Sequence, residues 1–268
     1  MIKLAITGAA GRMGRRLIAL AAEDPQFRLA AATEQPGCAL LGQDAGALAG
    51  VPALGVALTT EFPAAAPGVD VVVDFSAPAA TRAVLQQCLQ RRWALVIGTT
   101  GLSPDDHRAI DRAGQTIAVL QAPNMSLGVN LLMALSGQVA RQLGLDYDIE
   151  ITEVHHRFKK DAPSGTALGI AQAICQSSGR DMQKDVVYDR HGPEAVRKPG
   201  QIGLHALRLG DVVGEHSVFF AAPGERLELT HVATSRDVFA RGALRAALWL
   251  SAPGRPAGRY HMSHVLGL

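Results

Sequence analysis

Cysteine is scarce in this chain: Cys38, Cys88 and Cys175 are the only three in 268 residues, far apart and without a Cys-x-x-Cys pair. That spacing argues against a disulfide framework and a structural zinc site, and for a reduced compartment. An excess of one charge is also missing. With 26 Lys and Arg against 24 Asp and Glu, bulk charge gives no sign of a nucleic-acid partner. No uncharged apolar run approaches the length of a membrane span. Met1-Ile2-Lys3-Leu4 runs straight into a glycine loop, so no signal peptide is expected. No segment recurs at a solenoid period. The nearest thing to a biased segment is the Ala- and Pro-containing stretch from Val51 to Gly68, which reads as loop and short strand. A cytoplasmic enzyme is the expectation, with no nucleic-acid partner and no membrane.

What is present begins with Ile2 to Thr7, an apolar run that ends at Gly8-Ala9-Ala10-Gly11-Arg12-Met13-Gly14 and gives way to helix-forming Arg15 to Ala22. Strand, glycine turn and helix in that order let the backbone approach a pyrophosphate, whose charge the helix start then holds. The G-x-x-G-x-x-G spacing departs from the commoner G-x-G-x-x-G. A second run, Phe27 to Thr33, ends in Glu34, twenty positions after Gly14, where an acid binds adenosine ribose hydroxyls in dinucleotide folds. Further strand runs are predicted in Val69 to Ser76, Leu95 to Gly101 and Ile117 to Gln121. Helices are predicted between them, one from Thr81 to Gln90 and one starting at Ser103-Pro104-Asp105-Asp106. The alternation predicts a doubly wound parallel sheet whose ligand edge carries Gly8, Glu34, Ser76, Gly98 and Ala122.

The second half turns on Glu153-Val154-His155-His156-Arg157-Phe158-Lys159-Lys160-Asp161-Ala162-Pro163-Ser164-Gly165-Thr166. Asp148 to Val154 alternates polar and apolar, so the histidines sit at the end of a half-buried strand. Adjacent strand residues point to opposite faces, which makes His155 and His156 poor joint ligands for a metal. Asp161 and Ser164 are capping residues, Pro163 suits a first turn, and Thr166 to Gln176 reads as a helix. The amides of Ser164, Gly165 and Thr166 are then expected as free donors for a carboxylate or phosphate. A titrating acid, an ammonium group and an anion clamp together suit a small acidic substrate that must be protonated. The plainer alternative is a solvated basic loop beside an ordinary capped helix.

Around this motif, Ser126 to Leu143 is predicted as a helix, Gly179 to Gly200 as an exposed loop, and Ile202 to Arg208, Val213 to Ala221 and Leu227 to Thr234 as an antiparallel meander. A helix from Val238 to Leu250 is expected to pack back on the first domain. The resulting fold class is α/β: an N-terminal doubly wound, Rossmann-like dinucleotide-binding domain over residues 1–126, completed by 236–268, and an α+β domain over 127–235 with a mixed, mostly antiparallel sheet.

These motifs, with Asn124-Met125-Ser126-Leu127-Gly128-Val129-Asn130 and Gly210-Asp211-Val212-Val213-Gly214-Glu215-His216, resemble the 4-hydroxy-tetrahydrodipicolinate reductase family along essentially the whole chain. The histidine-to-threonine motif carries most of the specificity. The resemblance implies an NADH- and/or NADPH-dependent reduction, with loss of water, in diaminopimelate and lysine biosynthesis, without a metal. It implies His155 as the proton donor and acceptor and Lys159 as a second donor. His156, Lys159, Gly165 and Thr166 would hold the carboxylates of a small dicarboxylate substrate. The cofactor would contact Gly8, Ala9, Ala10, Gly11, Arg12, Met13, Glu34, Gly98, Thr99, Thr100, Ala122, Pro123, Asn124 and Met125. A homotetramer assembled through the second domain is a further implication; closure of the two domains over the substrate is expected from the two crossings, at Ala122 to Leu127 and before Val238.

Gln35 stands where NADPH-favouring relatives often carry an arginine, and Ala77 stands where relatives carry a cation or polar group. NADH is therefore expected to serve at least as well as NADPH, with Arg12 the remaining candidate contact for a 2'-phosphate. Two other readings stay open on the residues alone: a dinucleotide-binding redox sensor, and a dehydrogenase of another imine on the same two-domain plan.

Overall fold

The computed structural model describes residues 1–63 and 68–268; the last part of the Val51 to Gly68 stretch, residues 64–67, lies outside the described residues. In chain order the elements are β1 (Ile2–Thr7), α1 (Arg12–Glu23), β2 (Phe27–Thr33), α2 (Ala45–Ala49), β3 (Leu58–Thr59), β4 (Val71–Asp74), α3 (Pro78–Arg91), β5 (Ala94–Ile97), α4 (Pro104–Ala113) and β6 (Ala118–Gln121). There follow α5 (Leu127–Leu143), β7 (Asp148–His155), α6 (Gly165–Ser178), β8 (Val186–Val187), β9 (Ile202–Arg208), β10 (Gly214–Ala222), β11 (Glu225–Ala233), α7 (Asp237–Leu250), β12 (Gly258–Tyr260) and α8 (Met262–Leu266). The chain forms two compact units, Met1–Ser126 with Asp237–Leu268, and Leu127–Arg236.

The first unit holds a parallel sheet in the order β12-β6-β5-β4-β1-β2-β3. Val71, Val72 and Val73 are fully buried, as expected of a strand covered on both faces. From β1 the chain builds outward through β2 and β3, then returns to place β4 on the other side of β1. The switch point therefore falls between the carboxyl ends of β1 and β4, where open α/β sheets take their ligands. The glycine turn sits there. Gly8 has φ +64, and a Cβ on Gly14 would lie 2.2 Å from the Gly8 carbonyl oxygen, so glycine at both positions lets α1 press against the turn. At the start of α4, Ser103 and Asp106 form a capping box, and Pro104 occupies the first turn. Helix α7 packs on β4, β5 and β6. β12, for which the sequence pattern predicts no strand, adds an edge strand beside β6.

The second unit is a five-stranded mixed sheet in the order β11-β10-β7-β9-β8, antiparallel at β11–β10 and β10–β7 and parallel at β7–β9 and β8–β9. Helices α5 and α6 cover one face, burying Ile149, Ile151, Ile170, Ile174, Val218 and Phe220. No helix of this unit covers the other face, which carries Thr152, Val154, Leu207, Ser217, Phe219 and Val232.

The expected meander is corrected in one respect: β9 and β10 are not neighbours but flank β7. The turn between them wraps the end of β7, with the Leu209 amide donating to the His155 carbonyl and the Arg157 amide to the Gly210 carbonyl. The expected loop from Gly179 to Gly200 also contains β8. Arginines tie it down: Arg180 donates to the Gly144 and Gly200 carbonyls, and Arg190 and Arg197 both bind Glu150. Three of its arginines are thus held by protein acceptors, while most of the stretch is exposed as expected.

Candidate active site

In the first unit, the expected cofactor residues lie at the carboxyl ends of four parallel strands: Gly8 to Met13 after β1, Glu34 after β2, Gly98 to Thr100 after β5, and Ala122 to Met125 after β6. A cleft of about 480 Å³ opens along this edge, lined by Gly8, Gly11, Glu34, Gln35, Glu61 and Ser76 among others. The residues present suit a dinucleotide. The first turn of α1 contains no acid, so nothing there opposes a pyrophosphate. Glu34 accepts hydrogen bonds from the amides of Ala10 and Gln35, each at 3.0 Å, which ties the acid to the glycine turn. Ala9, Ala122 and Met125 are buried. A Cβ on Gly98 would come within 2.3 Å of the Phe75 ring, so only glycine lets that strand end pass over the aromatic.

Beneath the cleft lies Asp74, fully buried and not assigned a role from sequence. It accepts hydrogen bonds from the hydroxyls of Thr7, Ser76 and Thr81, each at 2.5 Å, and of Thr99 at 3.0 Å. One carboxylate thus joins β1, the loop after β4, α3 and the loop after β5.

In the second unit, β7 delivers Glu153 and His155 to the same side of the strand, two residues apart. Glu153 is fully buried. Its Oε2 lies 2.5 Å from His155 Nδ1 and accepts from Arg208 at 2.9 Å, while Oε1 accepts from the Ser164 amide and from Arg208, both at 3.0 Å. Burial pushes the Glu153 carboxyl upward in pKa, but Arg208, His155 and the Ser164 amide outweigh it and hold the group below the ordinary glutamate value. Burial likewise lowers the pKa of His155, opposed by Glu153. A second imidazole, His216 on β10, packs edge-on to His155 with ring centroids 5.2 Å apart and approaches Ser164 Oγ at 3.2 Å. Burial, reinforced by His155, pushes His216 down to about 4.

Two local expectations are corrected here. Pro163 precedes the cap instead of lying in the first turn: Ser164 is the N-cap of α6, its hydroxyl accepting from the Ala167 amide at 3.1 Å. The Ser164 amide is not a free donor, because Glu153 takes it. Gly165 and Thr166 open the helix, and a Cβ on Gly165 would meet nothing within 4 Å, so the approach to this helix end is clear. Lys159 follows one turn later than His155, its ammonium held 2.8 Å from both oxygens of Asp161. His156 carries a buried Nδ1 without a partner. Among the described residues, no group of three or more His, Cys, Asp or Glu could hold a metal ion, and no helix is long and apolar enough to cross a membrane.

The sequence reading named the acid but not its supports. The spacing of Glu153 and His155 was a usable signal, since period 2 puts both on one face. Arg208 and His216 reach the site through strand pairing, which no local pattern announces.

A glycine turn at the switch point of a parallel sheet, and in the other unit a carboxylate-anchored imidazole beside a helix start, define the class: a dinucleotide-dependent oxidoreductase. The family described as dihydrodipicolinate reductase, N-terminus, matches residues 2–125, and its C-terminus counterpart matches residues 128–266. A 4-hydroxy-tetrahydrodipicolinate reductase of Anaeromyxobacter sp. (strain Fw109-5) is 49% identical over 268 residues, covering 100% of this chain and 98% of the relative. One of Alkalilimnicola ehrlichii is 49% identical over 266 residues, covering 99% of each. Among solved structures, a dipicolinate-bound dihydrodipicolinate reductase from Paenisporosarcina sp. TG-14 shares the fold with a TM-score of 0.73 at 22% identity, covering 97% of each chain. The chain belongs to the dihydrodipicolinate reductase family.

Proposed function

We propose that this protein reduces 4-hydroxy-tetrahydrodipicolinate to tetrahydrodipicolinate, with loss of water, in the cytoplasmic pathway to diaminopimelate and lysine. The observation that carries the reading is the joint anchoring of His155 and the start of α6 by Glu153, which sets a proton donor beside an anion seat. The N-terminal unit binds NADH or NADPH through Gly8 to Met13, Glu34, Gly98 to Thr100 and Ala122 to Met125. When bound, the dinucleotide supplies a hydride. The unit Leu127–Arg236 binds the substrate.

Loss of the 4-hydroxyl as water leaves an unsaturated ring, which gains hydride at C4 and a proton at C3. His155 delivers that proton, the general-acid role for which histidine is the commonest side chain. Lys159 exchanges its contact with Asp161 for the substrate and acts as a second donor. His156, Lys159 and the residues Gly165 and Thr166 bind the carboxylates, which need partners once water is excluded. The sheet face that α5 and α6 leave open, with exposed Leu207 and Val232, supports assembly of a homotetramer through this unit.

The test is loss of nicotinamide absorbance with freshly generated 4-hydroxy-tetrahydrodipicolinate, with His155→Gln beside the wild type. Turnover is expected to fall on the order of 10²-fold or more in the variant, with a far smaller change in KM. Absence of oxidation by folded, cofactor-binding wild type would overturn the substrate assignment.

A further inference from the structure

The local geometry around His155 determines which nitrogen exchanges a proton, and we propose that Glu153 and Gly214 are the positioning residues that make it Nε2. Glu153 does so by holding Nδ1, and Gly214 by keeping the opposite side of the ring clear. The proposal rests on the reading of His155 as the acid.

The Nδ1 side follows from counting donors. The Glu153 carboxylate receives N–H groups from Arg208 on both oxygens and from the Ser164 amide on Oε1. An ionised carboxylate only accepts, so at 2.5 Å the hydrogen between Oε2 and Nδ1 belongs to the imidazole. Neutral His155 therefore carries its proton on Nδ1 and a lone pair on Nε2. Protonated His155 loses its labile proton from Nε2.

The Nε2 side follows from space. Glu215 pairs with Val154 across the antiparallel β10–β7 ladder, which brings Gly214 alongside His155. A Cβ at Gly214 would stand 3.1 Å from Nε2 and 3.4 Å from Cδ2. Gly214 is absent from the glycines with positive φ, so its backbone does not require glycine; a side chain there would instead press on the imidazole, which would have to give by a few tenths of an ångström. Among the described residues no protein group is bonded to Nε2, and the His155 side chain is 12% exposed, which leaves Nε2 for a ligand.

The same carboxylate also fixes the distance between acid and anion seat. Because Glu153 grips His155 with one oxygen and the Ser164 amide with the other, the proton donor and the first residue of the α6 cap move as one body. Edge-on packing of His216 closes one side of the ring and limits its rotation.

The test uses nitrogen-15 NMR of the histidine-labelled full-length protein, with the His155 signals assigned by their loss in His155→Gln. Neutral wild type is expected to show the Nδ1–H tautomer at His155. Glu153→Leu combined with Arg208→Leu removes the buried ion pair as a unit, which avoids leaving a lone buried charge. It is expected to move His155 toward the Nε2–H form and to lower kcat at least tenfold. Gly214→Ala, which alters neither charge nor hydrogen bonding, is expected to keep the Nδ1–H tautomer while lowering kcat at least tenfold with KM changed less than threefold.

An Nε2–H tautomer in the wild type, an unchanged tautomer in the folded double variant, or wild-type kcat in Gly214→Ala would each overturn the proposal. Should the double variant fail to fold, the wild-type tautomer and Gly214→Ala decide it. The tautomer measurement needs no substrate. A wild type with the Nδ1–H tautomer but no activity on 4-hydroxy-tetrahydrodipicolinate would therefore count against the substrate and not against this arrangement.

Discussion

Thr7 and Asp74 are register partners at the carboxyl ends of β1 and β4, and the threonine hydroxyl donates to the aspartate at 2.5 Å. The contact closes the sheet at its switch point. Three further hydroxyls, from Ser76, Thr81 and Thr99, converge on the same buried carboxylate. Asp74→Asn replaces one acceptor oxygen with a donor and removes the charge that strengthens these bonds. Since a hydrogen bond to a charged group contributes about 1.5–3 kcal/mol, the variant is expected to lose about 2 kcal/mol or more in urea unfolding. Ser76 lines the cleft and Thr99 lies in an expected cofactor stretch, so NADH affinity by fluorescence titration is expected to fall about tenfold, or about 1.4 kcal/mol.

A second close approach in the same unit gives a prediction of opposite sign to helix propensity. Gly242 lies inside α7, where alanine would ordinarily favour the helix by about 1 kcal/mol. A Cβ there would stand 1.8 Å from the Met125 carbonyl oxygen and 2.8 Å from its carbon. Overpacking against backbone costs about 1–3 kcal/mol and exceeds the gain. Gly242→Ala is expected to lower Tm and to weaken NADH binding by displacing the Ala122 to Met125 segment. A variant more stable than wild type would show that α7 can shift without cost.

Much of the first unit was legible because its signals are local. The glycine turn, the valine run and the helix start at Ser103 each lie within a few residues, and each gave its element, although α1 begins at Arg12, inside the expected turn, and β4 ends at Asp74, short of Ser76. The second unit was harder because its logic is pairing. Ile202 to Arg208 reads as a strand, but nothing local tells whether it lies beside the next strand or on the far side of β7. The wrap of Leu209 and Gly210 around the end of β7 decides that, and with it the arrival of Arg208 at Glu153. The free amide expected at Ser164 failed for the same reason: its acceptor is eleven residues earlier, on another element.

His216 makes folding stability depend on pH. In the folded protein its pKa is pushed from 6.5 down to about 4, chiefly by burial, so the folded state resists a proton that the unfolded chain accepts. The contribution is complete above pH 6.5 and is lost as pH falls toward 4. By linkage the gap amounts to about 3 kcal/mol. Unfolding free energies measured in urea at pH 7 and pH 4 are expected to differ less in His216→Gln than in wild type, by about that amount. Parallel pH profiles for the two proteins would remove His216 from the account.

Cofactor choice turns on charge at the end of the cleft beyond β2. Glu34 is followed by Gln35 and Pro36, and all three line the cleft together with Glu61. No lysine or arginine is among its lining residues. A 2'-phosphate would add up to two negative charges beside two carboxylates, with the exposed Arg12 on α1 as the candidate cation. A ribose hydroxyl would instead donate to Glu34 at no such cost. NADH is therefore expected to match or exceed NADPH in kcat/KM. Gln35→Arg supplies a guanidinium where a 2'-phosphate would lie and is expected to raise kcat/KM for NADPH about tenfold, since 1.4 kcal/mol is a factor of ten. Glu61→Gln is expected to shift the ratio the same way by less, because an exposed charge acts through screened solvent. Steady-state kinetics with both cofactors at low and high salt separates the two effects. A wild-type preference for NADPH that weakens with salt would mean that Arg12, and not the two glutamates, governs the phosphate.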